Sequence, residues 1–304
     1  MKIVVTQDIG FTAEQRSKLT GLSSSIKFYD TQPSSGEDWL RRVQGANIIC
    51  SHITGLSEAW MNIKNVYLTV PSVSTKFMQK QIFKDNGVLL STSPGCNKIA
   101  VSEWVVAMML RHVRRLDDFV NTTEIDEPKP VICKTIYNSK VCIIGKGNIG
   151  IEVGGKLLSL GAEVEFCTRN DDIFEKTRNQ DFVIDCVSEN SSTEKMFNKV
   201  FFDNLNKNSV FLSVSRAETK NYDDLFMALT KDEFSHYITD NASSLNYDVN
   251  DILYKKLLNT DSVSVTPHIA AYTETTIREA SRICFENIVS YIEGNPQNLA
   301  FQEQ

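Results

Sequence analysis

The amino-acid sequence predicts an α/β protein made of two doubly wound domains. Three observations carry that expectation. From Lys2 to Ser91, short apolar runs alternate with helical patterns roughly every twenty residues, the order that lays down parallel strands with helices on both faces. A second alternating series runs from Val141 to Val265. Between them stands a turn cluster, Ser93-Pro94-Gly95-Cys96-Asn97, where the chain can cross from one domain to the next. At 304 residues the chain is long enough to bury two cores.

Taken in order, residues 2–6 read as a buried strand, and Thr12-Ala13-Glu14-Gln15 as a capping box opening a helix to Leu22. Strands follow at 26–29, 46–50, 66–70 and 88–91, with helices at 37–43, 57–61 and 76–83. Beyond the turn cluster, 101–119 reads as one long helix, apolar early and basic late at Arg111, Arg114 and Arg115. Cations suit the negative end of a helix dipole, so that cluster reads as structural rather than as a nucleic-acid patch. Residues 121–138, with Pro128 and Pro130, read as a surface connection. In the second series, strands are expected at 182–187, 210–214, 237–239 and 263–265. Helices are expected from a cap at Ser192 or Thr193 to 200, then at 222–229 and 251–258. A long amphipathic helix, 273–294 (Ile277, Ala280, Ile283, Ile288, Ile292), is placed to return to the first domain.

The second series opens on the most informative stretch. Val141-Cys142-Ile143-Ile144 is a β-type run; Gly145-Lys146-Gly147-Asn148-Ile149-Gly150 follows; then a helical pattern (Val153, Leu157, Leu158) ends near Gly161, and a second strand covers 164–167. Strand, glycine turn, helix, strand is the dinucleotide-binding βαβ unit. The first glycine allows the tight turn, the second lets the backbone approach a pyrophosphate, and the third lets helix pack on strand. The helix start, at Asn148 and Ile149, offers free N–H groups and a positive dipole end to phosphates.

Three polar residues fall just past expected strand ends: Arg216, Asp240 and His268. Ligands of open α/β sheets bind at the carboxyl ends of the strands. An arginine there can clamp a carboxylate bidentately, and a histidine can pass a proton to a carbonyl or take one from an alcohol. Each also has a plainer reading: a surface ion pair, a turn cap, a turn residue. Their joint placement beside a glycine-rich loop favours function.

Composition excludes several classes. The net charge of −6 gives no electrostatic reason for nucleic-acid binding. Seven scattered cysteines with no CxxC fit free thiols in a reducing cytosol rather than disulfides or zinc, so no metal is expected. The start, MKIVVTQDIG, is too short an apolar run for a signal peptide, and no later run would span a bilayer. The expected location is cytoplasmic, without nucleic-acid or membrane partners.

On these residues the chain resembles the D-isomer-specific 2-hydroxyacid dehydrogenases over nearly its full length. The anchors are Ser93-Pro94-Gly95-Cys96-Asn97, Val101-Ser102-Glu103, the glycine loop, Asp181-Phe182-Val183, Ser215-Arg216, Asp240, and Thr266-Pro267-His268-Ile269-Ala270-Ala271. The resemblance implies a Rossmann nucleotide-binding domain (97–272) inserted into a flavodoxin-like substrate domain (1–96 and 273–304). It implies a cleft with hinge closure, and usually a homodimer. Carried over residue by residue, Arg216 would bind the substrate carboxylate, His268 would be the acid/base, and Asp240 would hold the nicotinamide carboxamide.

The departures are specific. The family's catalytic glutamate, five residues after the aspartate that matches Asp240, is Leu245 here, followed by Asn246 in place of the usual proline. Without that carboxylate, a lower pKa is expected for His268. The family's glycine-x-glycine-x-aspartate substrate loop is Pro71-Ser72-Val73-Ser74-Thr75, so Ser72 and Val73 stand at the substrate loop without its glycines. The acid that usually bonds the ribose 2′-OH is replaced by Thr168, with Arg169 next; a threonine and an arginine would accept a 2′-phosphate, which favours NADP over NAD. Two functions follow. The first is hydride transfer between NADP(H) or NAD(H) and a small 2-oxo or 2-hydroxy acid. The second is a catalytically impaired nucleotide-binding sensor or partner subunit on the same fold.

Overall fold

A computed structural model of the chain describes residues 1–52, 57–75, 78–120, 132–240 and 250–301. The chain divides into two compact units, one of Met1–Asn97 with Tyr272–Gln304, the other of Lys98–Ala271.

The first unit begins with β1 (Lys2–Val5), α1 (Ala13–Leu22), β2 (Ser25–Phe28), α2 (Gly36–Val43) and β3 (Ile48–Cys50). The expected capping box is present: Thr12 accepts from Gln15 N, and the Gln15 side chain accepts from Thr12 N. A 3₁₀ turn (Ser57–Asn62), β4 (Tyr67–Thr69), α3 (Lys80–Asp85) and β5 (Leu89–Ser91) follow. The helix expected at 76–83 is therefore later and shorter, and residues 76 and 77 lie outside the described residues. All neighbours in the sheet are parallel, in the order β2-β1-β3-β4-β5, the flavodoxin-like winding.

The second unit holds α4 (Lys98–Val113), α5 (Leu116–Phe119), β6 (Lys140–Ile144), α6 (Asn148–Ser159), β7 (Glu163–Cys167), α7 (Ile173–Thr177) and β8 (Phe182–Asp185). It continues through α8 (Lys199–Asp203), β9 (Val210–Ser213), α9 (Tyr222–Thr230), β10 (His236–Asp240), α10 (Ile252–Leu258) and β11 (Val263–Thr266). Its six strands are parallel in the order β11-β10-β9-β8-β6-β7. Both faces are covered, as a parallel sheet requires. Ile143, Ile184, Leu212 and Ile238 pack with Val105, Met109, Val153 and Leu157 on one face. Cys142, Ile144, Val183, Phe211 and Tyr237 pack with Phe197, Phe201, Phe202 and Leu225 on the other.

Two expectations fail here for identifiable reasons. The single helix 101–119 is two: it starts at Lys98 and breaks at Arg115, which takes φ 50°. Arg111 and Arg115 turn to Asp117 and Asp118 (2.8 and 2.6 Å), which pulls the chain out of the helical path. The helix expected from Ser192 or Thr193 is instead a turn, in which Asn190, Ser192 and Thr193 bond one another. The helix starts at Lys199, capped by Asn198, whose side chain accepts from Val200 N and Phe201 N. The segment 132–138 is also not purely superficial, since Ile136 is 3% exposed within the core.

The chain then returns to the first unit as α11 (Glu274–Ile292), capped by Thr273, and packs on β4. Tyr67 and Tyr291 stack with ring centroids 4.0 Å apart. Past α11, Thr92 N donates to Asn298 O and Ala300 N to Leu90 O, so the C-terminal stretch pairs along β5 and covers the sheet edge.

Candidate active site

In the second unit the sheet order reverses at β6, whose neighbours β7 and β8 run to either side. Such a switch point opens a crevice beyond the strand ends, and the glycine loop follows β6 there. Gly145 has φ +99°, and a Cβ on it would lie 2.9 Å from the Cys186 carbonyl oxygen. A Cβ on Gly150 would lie 2.1 Å from the Gly145 carbonyl oxygen. Those two glycines are required by the fold itself. Gly147 is not: a Cβ there would meet nothing within 4 Å, and its φ is an ordinary −89°. It fronts open space at the start of α6, where the first N–H groups of a helix have no partner within the helix. Helices α7, α8, α9 and α10 are each capped by an Asp or Asn side chain, whereas α6 has no side-chain cap. An uncapped helix start behind a clear glycine has the room and the free N–H groups, at Asn148, Ile149 and Gly150, that could hold a pyrophosphate.

At the end of β7, Thr168 donates to Asp171 through both its N–H (2.7 Å) and its hydroxyl (2.6 Å). Those two bonds hold the Asp171 carboxyl below its usual range. Sequence reading missed Asp171. The Thr-x-x-Asp spacing was the available signal, because a short acid three residues on can bond back to a threonine. Arg169 lies on the exposed side of this turn.

Arg216, Asp240 and His268 follow the neighbouring strands β9, β10 and β11, whose axes lie about 5 Å apart. Arg216 is half-buried, and its guanidinium has no hydrogen-bond or ion-pair partner among the described residues. Asp240 is 5% exposed, and its carboxylate organises the turn after β11. Thr266 Oγ1 (2.6 Å) and Ile269 N (2.8 Å) donate to Oδ1, and Ala270 N (2.7 Å) donates to Oδ2. His268 sits inside that clamp at φ 58°, a left-handed conformation that histidine adopts more readily than most residues. Asp240 thus fixes the backbone that carries His268, leaving part of Oδ2 to accept another donor. Leu245 and Asn246 lie outside the described residues.

Ser72 and Val73 belong to the other unit. Ser72 Oγ accepts from Ser74 N (3.2 Å), Ser72 O accepts from Ser93 N (2.8 Å), and Val73 is 47% exposed. The loop is thus shaped by serine hydroxyls rather than by glycines. Among the described residues, no group of three or more His, Cys, Asp or Glu could hold a metal ion. All seven cysteines are free, and no helix among the described residues is long and apolar enough to cross a membrane.

A cavity of about 970 Å³ lies at the opposite, amino-terminal edge of the second unit's sheet. The His112 and His236 rings meet there 4.8 Å apart, and burial, with the neighbouring His112 and Arg111, pushes His236 down to about 4. Its arginines are already paired with Asp117 and Asp118. None of the glycine loop, Arg216, Asp240 or His268 lines it.

A parallel sheet with a glycine turn at its switch point, an uncapped helix behind it and polar residues at the next strand ends defines a nucleotide-binding α/β protein. Residues 104–270, more than half of the chain, match the family model of the D-isomer specific 2-hydroxyacid dehydrogenase NAD-binding domain, and the protein belongs to that family. The D-lactate dehydrogenase of Staphylococcus aureus is 24% identical over 220 residues, 64% of this chain and 66% of that protein. The human glyoxylate reductase/hydroxypyruvate reductase is 24% identical over 323 residues, 97% of this chain and 96% of that one. In fold, the chain is similar to an acyclic imino acid reductase solved with NADPH and D-Arg, with a TM-score of 0.79 at 19% identity over 99% of this chain and all of that one.

Proposed function

We propose that the protein is an oxidoreductase that interconverts a small 2-oxo acid and the corresponding 2-hydroxy acid with a nicotinamide cofactor. The observation that carries this is the half-buried guanidinium of Arg216, without a partner among the described residues, two strands from the turn that presents His268. The clear face of Gly147 and the start of α6 would hold the cofactor pyrophosphate, Thr168 and Arg169 the adenosine ribose, and Asp240 the carboxamide. When bound, the nicotinamide supplies or accepts the hydride. Arg216 would bind the substrate carboxylate through paired N–H donors, which fixes the reacting carbon in one orientation. His268 would donate a proton to the carbonyl oxygen in reduction and take it back in oxidation. Residues 1–97 and 272–301 would form the substrate domain, with Ser72 and Val73 as its loop. A turnover screen with glyoxylate, hydroxypyruvate, pyruvate and bulkier 2-oxo acids tests the activity. Nicotinamide cofactor binding without turnover on any of them would favour the sensor or partner-subunit reading.

NADP(H) is the preferred cofactor in this reading, with NAD(H) second. Arg169 can meet a 2′-phosphate, while Asp171 places a carboxylate next to Thr168 and works against it. Arg169→Ala should therefore weaken NADPH binding about ten- to a hundredfold, the loss of a charge-assisted contact of roughly 1.5–3 kcal/mol, and leave NADH unchanged. Asp171→Asn should move the ratio further toward NADPH. Fluorescence titration reads both, and equal affinities for the two cofactors in the unmodified protein would refute the preference. The protein is proposed to act in the cytoplasm as a homodimer. Leu110 of α4 and Ile151 and Leu158 of α6 leave apolar surface exposed on the nucleotide-binding unit. Sedimentation velocity should give twice the 34.3 kDa chain mass, and a monomer at micromolar concentration would exclude the dimer.

A further inference from the structure

Two charged side chains with almost no solvent contact stand between the glycine loop and Arg216. Asp185 ends β8 with no exposed surface, and Lys220 is 3% exposed. Lys220 Nζ lies 3.5 Å from Asp185 Oδ2 and donates to Ser213 Oγ (2.6 Å), Ser215 Oγ (3.0 Å), Ser215 O (3.1 Å) and Arg216 O (2.8 Å). Ser213 Oγ (2.8 Å) and Ser215 Oγ donate in turn to Asp185 Oδ2, while Asp185 Oδ1 accepts from Val187 N (3.1 Å). Cys186, between those residues, carries the carbonyl against which Gly145 packs. Burial pushes the Lys220 ammonium down and Asp185 opposes that shift.

Filling this space does not require ions. A pair of apolar side chains of similar volume would usually serve stability as well or better, because desolvating two charges offsets much of their attraction. What an apolar pair cannot do is donate hydrogen bonds to backbone carbonyls. The two carbonyls that Lys220 takes are those of Ser215 and Arg216, where the chain has left β9 and no ladder holds it. Arg216 O also accepts from Thr219 Oγ1 (2.9 Å), whose hydroxyl contacts Ser215 Oγ (2.9 Å).

We propose that Lys220, held by Asp185, is a positioning residue that fixes the backbone of Arg216 so that its guanidinium is aimed at the substrate carboxylate, in register with the wall of the glycine loop. The inference rests on the role given above to Arg216. The test compares the parent with Arg216→Ala, Lys220→Met, Asp185→Leu and the Asp185→Leu/Lys220→Met double variant. Three quantities are measured: melting temperature, NADPH affinity, and affinity for oxamate (a non-reducible pyruvate isostere) in the presence of NADPH. Each single variant of the pair strands a buried charge and should melt lower, whereas the double variant strands no charge and should recover most of that loss, short of the hydrogen bonds Lys220 gave the two carbonyls. The double variant should nevertheless bind oxamate about tenfold or more weakly, the scale of losing a well-aimed bidentate contact, with NADPH affinity unchanged. Parental oxamate affinity in the double variant, with Arg216→Ala impaired, would show the pair to be only structural and overturn the inference. Parental oxamate affinity in Arg216→Ala would instead remove the role of Arg216, and the inference with it.

Discussion

His268 rides on a turn whose backbone Asp240 holds through Ile269 N and Ala270 N. In the role proposed for His268, reduction needs the protonated ring, so kcat/KM for the 2-oxo acid should fall as pH rises through the pKa of its imidazole. We propose, from the family resemblance, that residue 245 stands where the family's glutamate does; Leu245→Glu should then move that profile to higher pH, because a nearby carboxylate favours the imidazolium. The measurement is kcat/KM against pH for the parent, Leu245→Glu and His268→Ala; a parental rate in His268→Ala would remove His268 from the mechanism. The placement of Arg216, Asp240 and His268 at neighbouring strand ends was legible in the sequence because each follows an apolar run that ends abruptly. Lys220 was not, although Asp185 inside the run Phe182-Val183-Ile184-Asp185 signalled that a buried charge needed a partner. Its partner is thirty-five residues away in sequence, and only strand pairing of β8 with β9 brings them together.

At the scale of elements, strands and their order were the readable part, because both faces of a parallel sheet are buried and the apolar runs are continuous. Helix starts and breaks were harder. The pattern 101–119 is helical throughout, and nothing in its periodicity shows that Asp117 and Asp118 draw Arg111 and Arg115 out of line. Ser192 and Thr193 both suit the start of α8, because both residue types cap helices; Asn190 uses them for a turn instead. Helix α6 differs from its neighbours in leaving its first turn without a side-chain cap, behind a glycine with open space on its face. Gly147→Val should therefore fold normally, since no protein atom meets the new Cβ, yet abolish binding of NADPH and NADH by occupying the phosphate space. Circular dichroism and fluorescence titration decide it: unchanged binding with a native spectrum would place the cofactor elsewhere.

At the scale of the whole molecule, the first unit is discontinuous: its sheet is complete by Ser91, yet a helix and an edge-covering stretch arrive from beyond residue 271. The amphipathic pattern of α11 made its return legible. The polar joint that secures it was not, because an asparagine in a helix reads as surface. Asn287 has no exposed surface. Its Nδ2 donates to Thr69 Oγ1 (3.1 Å) and Thr92 O (2.9 Å), and its Oδ1 accepts from Asn298 Nδ2 (2.8 Å). Its backbone carbonyl accepts from Tyr67 Oη (3.1 Å). One side chain thus ties α11 to β4, to the residue after β5, and to the C-terminal stretch. Asn287→Ala keeps the backbone bond but removes the partner of the buried Thr69 Oγ1 and Thr92 O, at a cost of roughly 2–3 kcal/mol. The second unit has its own sheet and its own cores, so it should not share the loss. With Trp104 of the second unit replaced by Phe, urea unfolding followed through Trp39 and Trp60, both in the first unit, should shift to lower denaturant in Asn287→Ala, while NADPH binding persists to the parental concentration. If both signals shift together by the same amount, the two units unfold as one, and Asn287 supports the whole chain rather than the closure of its first unit.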